Sequence, residues 1–330
     1  AMTVLLTGAA GFIGFHTTRR LLSRGERVVG IDNMNPYYST ALKDARLRQL
    51  LEHQNFTFYQ MDINHDLKKL EILVKDFQPE FIINFAAQGM VAQSWLTPEH
   101  WYQTNVVGQV KLHDCLRKID CIKRYVHIST PEAYGSTDGW IKENYNFSPS
   151  TPYAVSRAAC DLHLLSFFRA YNFPVVFTRA ANVYGEGQQL YRIIPRTLLF
   201  ARLEKKLQLH GGGHSIRSFI HIDDVADATL KIALNGCNGD TYHISTNETV
   251  SIRELVTKIC EMTKIKFSDL VEETEDRLGK DQSYLLNSNK LRDELKWNDQ
   301  ISLETGIKKT LTWIDDNLSC LKSLPMDYQH

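Results

Sequence analysis

No sign of charge dominates this chain: Lys plus Arg and Asp plus Glu stand at 38 each in 330 residues, for a formal net charge of zero. That balance argues against a nucleic-acid track or an anionic membrane surface as partner, so any anion site must be local. No apolar run approaches a bilayer span, and the opening residues read as a buried strand rather than a signal peptide. Cysteine is sparse. The six residues at 115, 121, 160, 237, 260 and 320 include no close pair of metal-ligand spacing, which fits reduced thiols in a cytoplasmic protein better than a disulfide framework. Internal repeats and low-complexity linkers are also missing, and the length implies a core domain plus a smaller lobe.

What the sequence does contain is a glycine pattern in an informative place. Val4-Leu5-Leu6 reads as a buried parallel strand, Thr7-Gly8-Ala9-Ala10-Gly11-Phe12-Ile13-Gly14 follows it, and a helical pattern begins at once. Gly8 permits the tight turn, Gly11 lets the backbone approach a pyrophosphate, and Gly14 lets the helix pack closely on the sheet. The helix N-terminus offers free N–H groups and a positive dipole end. The next strand, Arg27 to Ile31, ends in Asp32, where a carboxylate accepts hydrogen bonds from an adenosine ribose. An acid there favours NAD over NADP, because a 2'-phosphate is repelled and no Arg or Lys follows until Lys43.

Strand and helix patterns alternate onward: helix at about 12–24, strands at 27–31 and 56–60, helix near 66–77, strand at 81–85, helix from about 98 to 117, strand at 124–128, helix from 154 to 171, and strand at 175–179. The fold class expected is α/β, a doubly wound parallel sheet over 1–185 with strands contributed from about 215–245. A smaller, mixed α/β substrate lobe over 186–330 is interleaved with it. Helical stretches near 192–204 and 251–263 and a strand at 240–244 belong to this later part.

Two segments at successive strand ends carry candidate chemistry. Ser129-Thr130-Pro131-Glu132-Ala133-Tyr134-Gly135 follows one strand, and Tyr153-Ala154-Val155-Ser156-Arg157 opens the long helix. Tyr153 and Arg157 share a helix face, so a permanent cation near the phenol favours its ionised form, a usable base near neutral pH. His210 and His214 flank three glycines and read as a loop, and His221 with Asp223 and Asp224 reads as the cap of a following helix rather than a metal site.

The glycine pattern, the Tyr-x-x-x-basic pair and the upstream Ser/Thr resemble the extended short-chain dehydrogenase/reductase family of nucleotide-sugar enzymes, a Rossmann-type fold, over nearly the whole chain. In that resemblance the cofactor, NAD, meets Gly8, Gly11, Phe12, Ile13, Gly14, Asp32, Asn33, Asp62, Ile63, Ala86, Ala87, Gln88, Tyr153 and Arg157. Thr104 to Gly108 resembles the family's central helix signature, and Asn182-Val183-Tyr184-Gly185 its substrate-binding turn. Arg217 lies in a segment resembling the one that holds a sugar-nucleotide phosphate, and Arg277-Leu278-Gly279-Lys280-Asp281 resembles a segment of dTDP-glucose 4,6-dehydratases. Two guanidinium groups, Arg217 and Arg277, can clamp a diphosphate. Ile194 lies in a stretch that serves either a base pocket or the core.

The resemblance implies a nucleotide-sugar 4,6-dehydratase: Tyr153 takes the 4-hydroxyl proton, Thr130 holds that hydroxyl, and Glu132 removes the C5 proton before water leaves from C6. It also implies a homodimer formed by the helices at 98–117 and 154–171. Two positions depart from the pattern. Pro131 stands where the dehydratases carry an Asp acid, and Arg157 stands where the family has Lys. Other readings stay open: a 4-epimerase, because Asp32 to Tyr38 resembles a loop of UDP-glucuronate 4-epimerases; a UDP-glucuronate decarboxylase; or a binding protein whose catalytic site has decayed.

Overall fold

The computed structural model describes residues 1–35, 40–85, 96–276 and 283–326. Seven parallel strands form the central sheet: β1 (Thr3–Thr7), β2 (Arg27–Asp32), β3 (Phe56–Gln60), β4 (Phe81–Asn84), β5 (Arg124–Ile128), β6 (Val175–Ala180) and β7 (Thr241–Ile244). Their order is β7-β6-β5-β4-β1-β2-β3. The chain therefore winds outward from β1 through β2 to β3, then returns to β1's other edge with β4. This reversal opens a crevice at the carboxyl ends of β1 and β4, the place where doubly wound sheets hold ligands.

Burial on both faces explains why the strands read as nearly continuous apolar runs. Alternate residues divide between two layers. Val4, Leu6, Ile83, Val126 and Val176 pack against the helices Phe12–Ser23 and Ile222–Asn235. Leu5, Val29, Ile82, Tyr125, Val175 and Phe177 pack on the other face with Leu70, Leu112 and Leu164 from the helices Leu67–Phe77, Gly108–Leu116 and Pro152–Tyr171. A further core, built on Leu198, Phe219, Leu255, Ile259 and Ile307, fills the second lobe and takes in Tyr153 and Trp101. Tyr153 thus sits where the lobe meets the sheet's helical layer.

The observed boundaries of the long helix have a local cause. Thr151 caps it by accepting the Ala154 N–H at 3.0 Å, Pro152 occupies the first helical position, and Asn172 ends it in the left-handed region. The predicted helix over 98–117 is instead three segments, Pro98–Tyr102, a π turn at Gln103–Val107 and Gly108–Leu116. Of the stretch 215–245, only β7 joins the main sheet. Ile216–Arg217 pairs with Val250–Ser251, and Phe219–His221 pairs with Asn182–Tyr184. Helices at Thr40–Leu51 and Leu303–Asp316 were not anticipated, the first because its apolar spacing is irregular. No helix among the described residues is long and apolar enough to cross a membrane.

His16 and His243 are among the histidines that burial holds in neutral form. On β7, His243 lies between the Tyr134 hydroxyl (2.7 Å from Nε2) and the Asn287 carbonyl (3.2 Å from Nδ1), and burial, reinforced by Arg179, pushes it down to about 3. Burial likewise takes His16 down to about 4, although its Nε2 lies 2.7 Å from the Glu186 carbonyl. Their ordinary value is 6.5, so the unfolded chain binds protons that the folded chain refuses. Stability is then complete above that value and is lost as pH falls toward the folded values. We expect denaturant unfolding at pH 5 to show a loss on the order of 2 kcal/mol per histidine relative to pH 7.5. The slope should flatten in His16→Gln and His243→Gln, and a pH-independent wild type would exclude neutral burial.

Candidate functional site

β1 ends at Thr7 and the chain turns through Gly8 at φ +78°, a region open to glycine. A Cβ on Gly14 would lie 2.1 Å from the Gly8 carbonyl oxygen, so the helix can start this close to the strand only without a side chain there. Gly11 donates its N–H to that carbonyl at 3.0 Å and forms the N-cap with no side chain closing it. Phe12 is buried and Ile13 half-buried beneath the turn. The result is a cradle of helix N–H groups that a Cβ would fill, which suits a dinucleotide pyrophosphate.

Asp32 lies beside that cradle. Its Oδ2 accepts the Ala10 N–H at 3.1 Å, its Oδ1 accepts the Met34 N–H at 2.8 Å, and Lys43 pairs with Oδ1 at 3.0 Å. The first basic residue after Asp32 in sequence is therefore in direct contact with it. From the same unanticipated helix, buried Arg46 donates to the Ala10 carbonyl at 2.9 Å and to the Gly187 carbonyl at 2.6 Å, tying the glycine turn to the second lobe. Asn33 is exposed. Past β3, Asp62 Oδ1 accepts the Asn64 N–H at 2.8 Å in a local turn, and half-buried Ile63 packs on the core. Ala86, Ala87 and Gln88 lie outside the described residues.

At the end of β5, Thr130 caps a short 3-10 turn over Pro131–Tyr134, its Oγ1 accepting the Glu132 N–H at 3.2 Å. Pro131 occupies the first position of that turn, where a missing N–H costs little, so its place is explained by backbone geometry. Arg157 reaches back one helical turn, with one nitrogen 3.4 Å from the Tyr153 hydroxyl and another donating to the Ile128 carbonyl. Burial pushes the Tyr153 phenol above its ordinary value; Arg157, Arg192 and a hydrogen bond with Thr130 pull it down, while the Glu132 carboxylate pushes it up. The cation acts in the direction expected from the spacing, but desolvation outweighs it. Thr130, Glu132, Tyr153 and Arg157 are brought together, and Arg192, invisible to motif reading, joins them.

Beneath this group lies a buried ion pair that the sequence did not disclose. Arg179 and Asp161 are both fully buried and meet at 2.8 Å. Arg179 also donates to the Ser129 hydroxyl and to the Thr130 carbonyl, each at 2.8 Å, while Ser129 donates to Asp161 Oδ2 at 2.5 Å. Burial alone would raise the Asp161 carboxyl, yet Arg179, His127 and Ser129 hold it down at about 2.

On the substrate side, exposed Asn182 stands opposite Phe219 in the short parallel pair and its N–H is bonded to the Ser218 carbonyl at 3.2 Å, while half-buried Arg217, the residue before Ser218, stands opposite Val250 in the antiparallel pair. Arg277 lies outside the described residues. Ile194 is 1% exposed and belongs to the second lobe's core with Leu198 and Phe219, so it presents no surface to a base. His221 accepts the Asp223 N–H at 3.1 Å and caps the helix Ile222–Asn235, the capping role read from its position.

Comparison with known proteins sets this geometry in a family. The trifunctional UDP-glucose 4,6-dehydratase/UDP-4-keto-6-deoxy-D-glucose 3,5-epimerase/UDP-4-keto-L-rhamnose-reductase of Arabidopsis thaliana is 30% identical over 321 residues, 95% of this chain and 47% of that protein. The chain thus spans about half the length of such plant relatives. A crystal structure of DesIV, the dTDP-glucose 4,6-dehydratase of Streptomyces venezuelae, solved with NAD bound, superposes with a TM-score of 0.88 at 30% identity, covering 96% of this chain and 98% of that one. The UDP-glucuronic acid 4-epimerase of Bacillus cereus superposes with a TM-score of 0.87 at 25% identity, covering 96% and 99%. The model of the GDP-mannose 4,6 dehydratase family matches residues 5–310, and with that span, the glycine cradle and the Thr130–Tyr153 pairing, this chain belongs to that family.

Proposed function

We infer that the protein is an NAD-dependent nucleotide-sugar 4,6-dehydratase, a lyase that forms a 4-keto-6-deoxy sugar nucleotide. The observation that carries this reading is Glu132 held beside Tyr153 by the Thr130-capped turn. The similar folds of dehydratase and epimerase relatives do not separate the two reactions, whereas a carboxylate at this position does. A 4-epimerase needs only the Thr, the Tyr and the cofactor. A dehydratase also needs a group to take the C5 proton.

Bound NAD would supply the acceptor for the C4 hydride and the donor of that hydride to C6, with solvent supplying the proton that C5 then needs. The chain's own residues do the rest. Gly8, Gly11 and Gly14 leave room for the pyrophosphate, with Phe12 and Ile13 beneath, and Asp32 and Asn33 stand at the ribose end. Asp62 and Ile63 belong to the adenine side, and Ala86, Ala87 and Gln88 are assigned by resemblance to the strand end beside the cofactor. Tyr153, as the phenolate that Arg157 stabilises, takes the proton of the 4-hydroxyl, and Thr130 orients that hydroxyl. Once C4 is a ketone the C5 hydrogen is acidic, and Glu132 removes it. Since Pro131 has no proton to give, the same carboxyl, now protonated, passes it to the C6 hydroxyl as water departs. Arg217 and Arg277 hold the nucleotide diphosphate, with the lobe over 186–330 as their platform, and Asn182 belongs to the substrate-binding turn.

Exposed Val155, Leu162 and Tyr171 on the long helix, with Tyr102 and Val107 on the neighbouring segments, form the face of a homodimer. The six cysteines are all free, in keeping with a cytoplasmic protein that supplies sugar precursors for polysaccharide biosynthesis.

Incubation with dTDP-, UDP-, GDP- and CDP-sugars, followed by mass spectrometry, is expected to yield a product lighter by one water. In Glu132→Gln that product should fall by about 10²- to 10⁴-fold while the oxidised cofactor still becomes reduced, and in Tyr153→Phe both signals should fall. Unchanged dehydration in Glu132→Gln would remove Glu132 from its role, and a C4 epimer of unchanged mass would identify an epimerase. At the cofactor site, Asp32→Ala should weaken NAD binding by about 10- to 100-fold and shift preference toward NADP, because Lys43 loses its carboxylate partner. Calorimetric titration of both cofactors tests this, and an unaltered NAD affinity counts against the assignment. Leu162→Arg is expected to give monomers in sedimentation velocity; a monomeric wild type would refute the dimer.

A further inference from the structure

Behind the sheet, on the face away from the glycine-turn helix, a group of donor atoms is buried without an evident use. His113, His127 and Cys160 each place one ligating atom within 4.8 Å of the other two. His113 comes from the helix Gly108–Leu116, His127 from β5, and Cys160 from the long helix, so three separate elements converge. All three residues are essentially inaccessible, the largest exposure being the 3% of His127.

The two imidazoles are incompletely hydrogen-bonded, and His127 meets Asp161 as an ion-pair contact only. His113 Nε2 lies 2.8 Å from the Tyr125 hydroxyl, and His127 Nε2 lies 3.2 Å from Asp161 Oδ1. The Nδ1 atom of each ring has no partner. Tyr125 is itself fixed by Asn84, whose amide donates to its hydroxyl at 2.5 Å and to Gln109 Oε1 at 2.6 Å. Neither tautomer of His113 gives Nδ1 a partner, and a buried polar atom left in that condition costs about 1–3 kcal/mol. The unpartnered atoms of two rings beside a thiol call for a further species in the core.

We propose that His113, His127 and Cys160 form a buried zinc site that ties the two helices to β5. A metal-bound histidine has its other ring nitrogen held by a carboxylate, a carbonyl or another polar group, the arrangement that Asp161 and Tyr125 provide here. Two nitrogens and one sulfur suit zinc and do not suit magnesium or calcium, which take oxygen ligands. Ligand atoms around tetrahedral zinc stand about 3.5 Å apart, so a spread of up to 4.8 Å closes with side-chain adjustments of about an ångström. Cys160 is a buried thiol, so the ion must displace its proton on binding, and the site takes up metal as the chain folds. The site is separate from the catalytic crevice and does not depend on which reaction the protein performs.

The test is the metal content of the full chain, purified without a metal-affinity resin and measured by inductively coupled plasma mass spectrometry. The expected result is stoichiometric zinc in the wild type and in Cys260→Ala, and loss of that zinc in Cys160→Ala with the far-ultraviolet dichroism retained. Wild-type chain refolded with Co²⁺ should show a thiolate-to-cobalt charge-transfer band. That measurement decides the matter if Cys160→Ala does not fold. A wild type that is metal-free both as purified and after refolding with Zn²⁺, a cobalt-loaded chain lacking the band, or zinc retained by folded Cys160→Ala would each overturn the proposal.

Discussion

The buried pair of Arg179 and Asp161 is the interaction on which the catalytic geometry depends. Neither charge reaches water, and the desolvation cost of the buried ion pair is offset only in part by hydrogen bonds, since Arg179 Nε has no hydrogen-bond partner. Here the partners are the Ser129 hydroxyl and the Thr130 carbonyl, both at the carboxyl end of β5. The pair therefore fixes the strand end from which the capped turn projects, and through that turn the relative placement of Thr130, Glu132 and Tyr153. Replacing it with apolar residues would preserve packing and leave the Thr130 carbonyl unheld. This is a physical reason for retaining charge in a core where hydrophobic residues of similar volume would serve stability as well.

From that clamp two consequences extend in opposite directions. Toward the crevice, Arg157 donates to the carbonyl of Ile128, the residue immediately before Ser129, so the cation beside the phenol is positioned by the same strand end. Away from the crevice, Asp161 reaches His127 and so meets the histidine and thiol group behind the sheet. At the cofactor strand, Thr7 donates to Asn84 at 2.5 Å, and Asn84 connects through Tyr125 to His113. The polar residues of the apolar helical layer thus form a connected set between the ends of β1 and β5.

Much of this was legible in advance because it is local. Glycines at a strand-to-helix turn, an acid ending the next strand and apolar strands at regular intervals each state a backbone requirement within a few residues. Strands at Phe56–Gln60 and Arg124–Ile128 appear where alternation put them. What escaped is non-local or against pattern. The helix Thr40–Leu51 has its apolar residues spread around its circumference, so periodicity gave no sign of it, and with it went Lys43 and Arg46. The π turn at Gln103–Val107 changes no residue type and leaves no mark in spacing. Arg179 looked like the end of a strand, and Asp161 like one more polar helical residue, because their partners lie 49 and 32 residues away.

Pro131 is the point where local and chemical arguments meet. As a sequence departure it removes the acid that related dehydratases carry, which on its own reads as loss of function. In the fold it begins a turn whose cap is Thr130, and its fixed φ makes that turn more rigid than a freely rotating residue would. Under the proposed mechanism rigidity matters, because there Glu132 serves twice, first accepting the C5 proton and then delivering it to an oxygen on the adjacent carbon. A single carboxyl can do both only if its position relative to the sugar does not drift between the steps, since a proton relay over neighbouring atoms tolerates little misplacement. The same residue that takes away one acid therefore stiffens the support of the other.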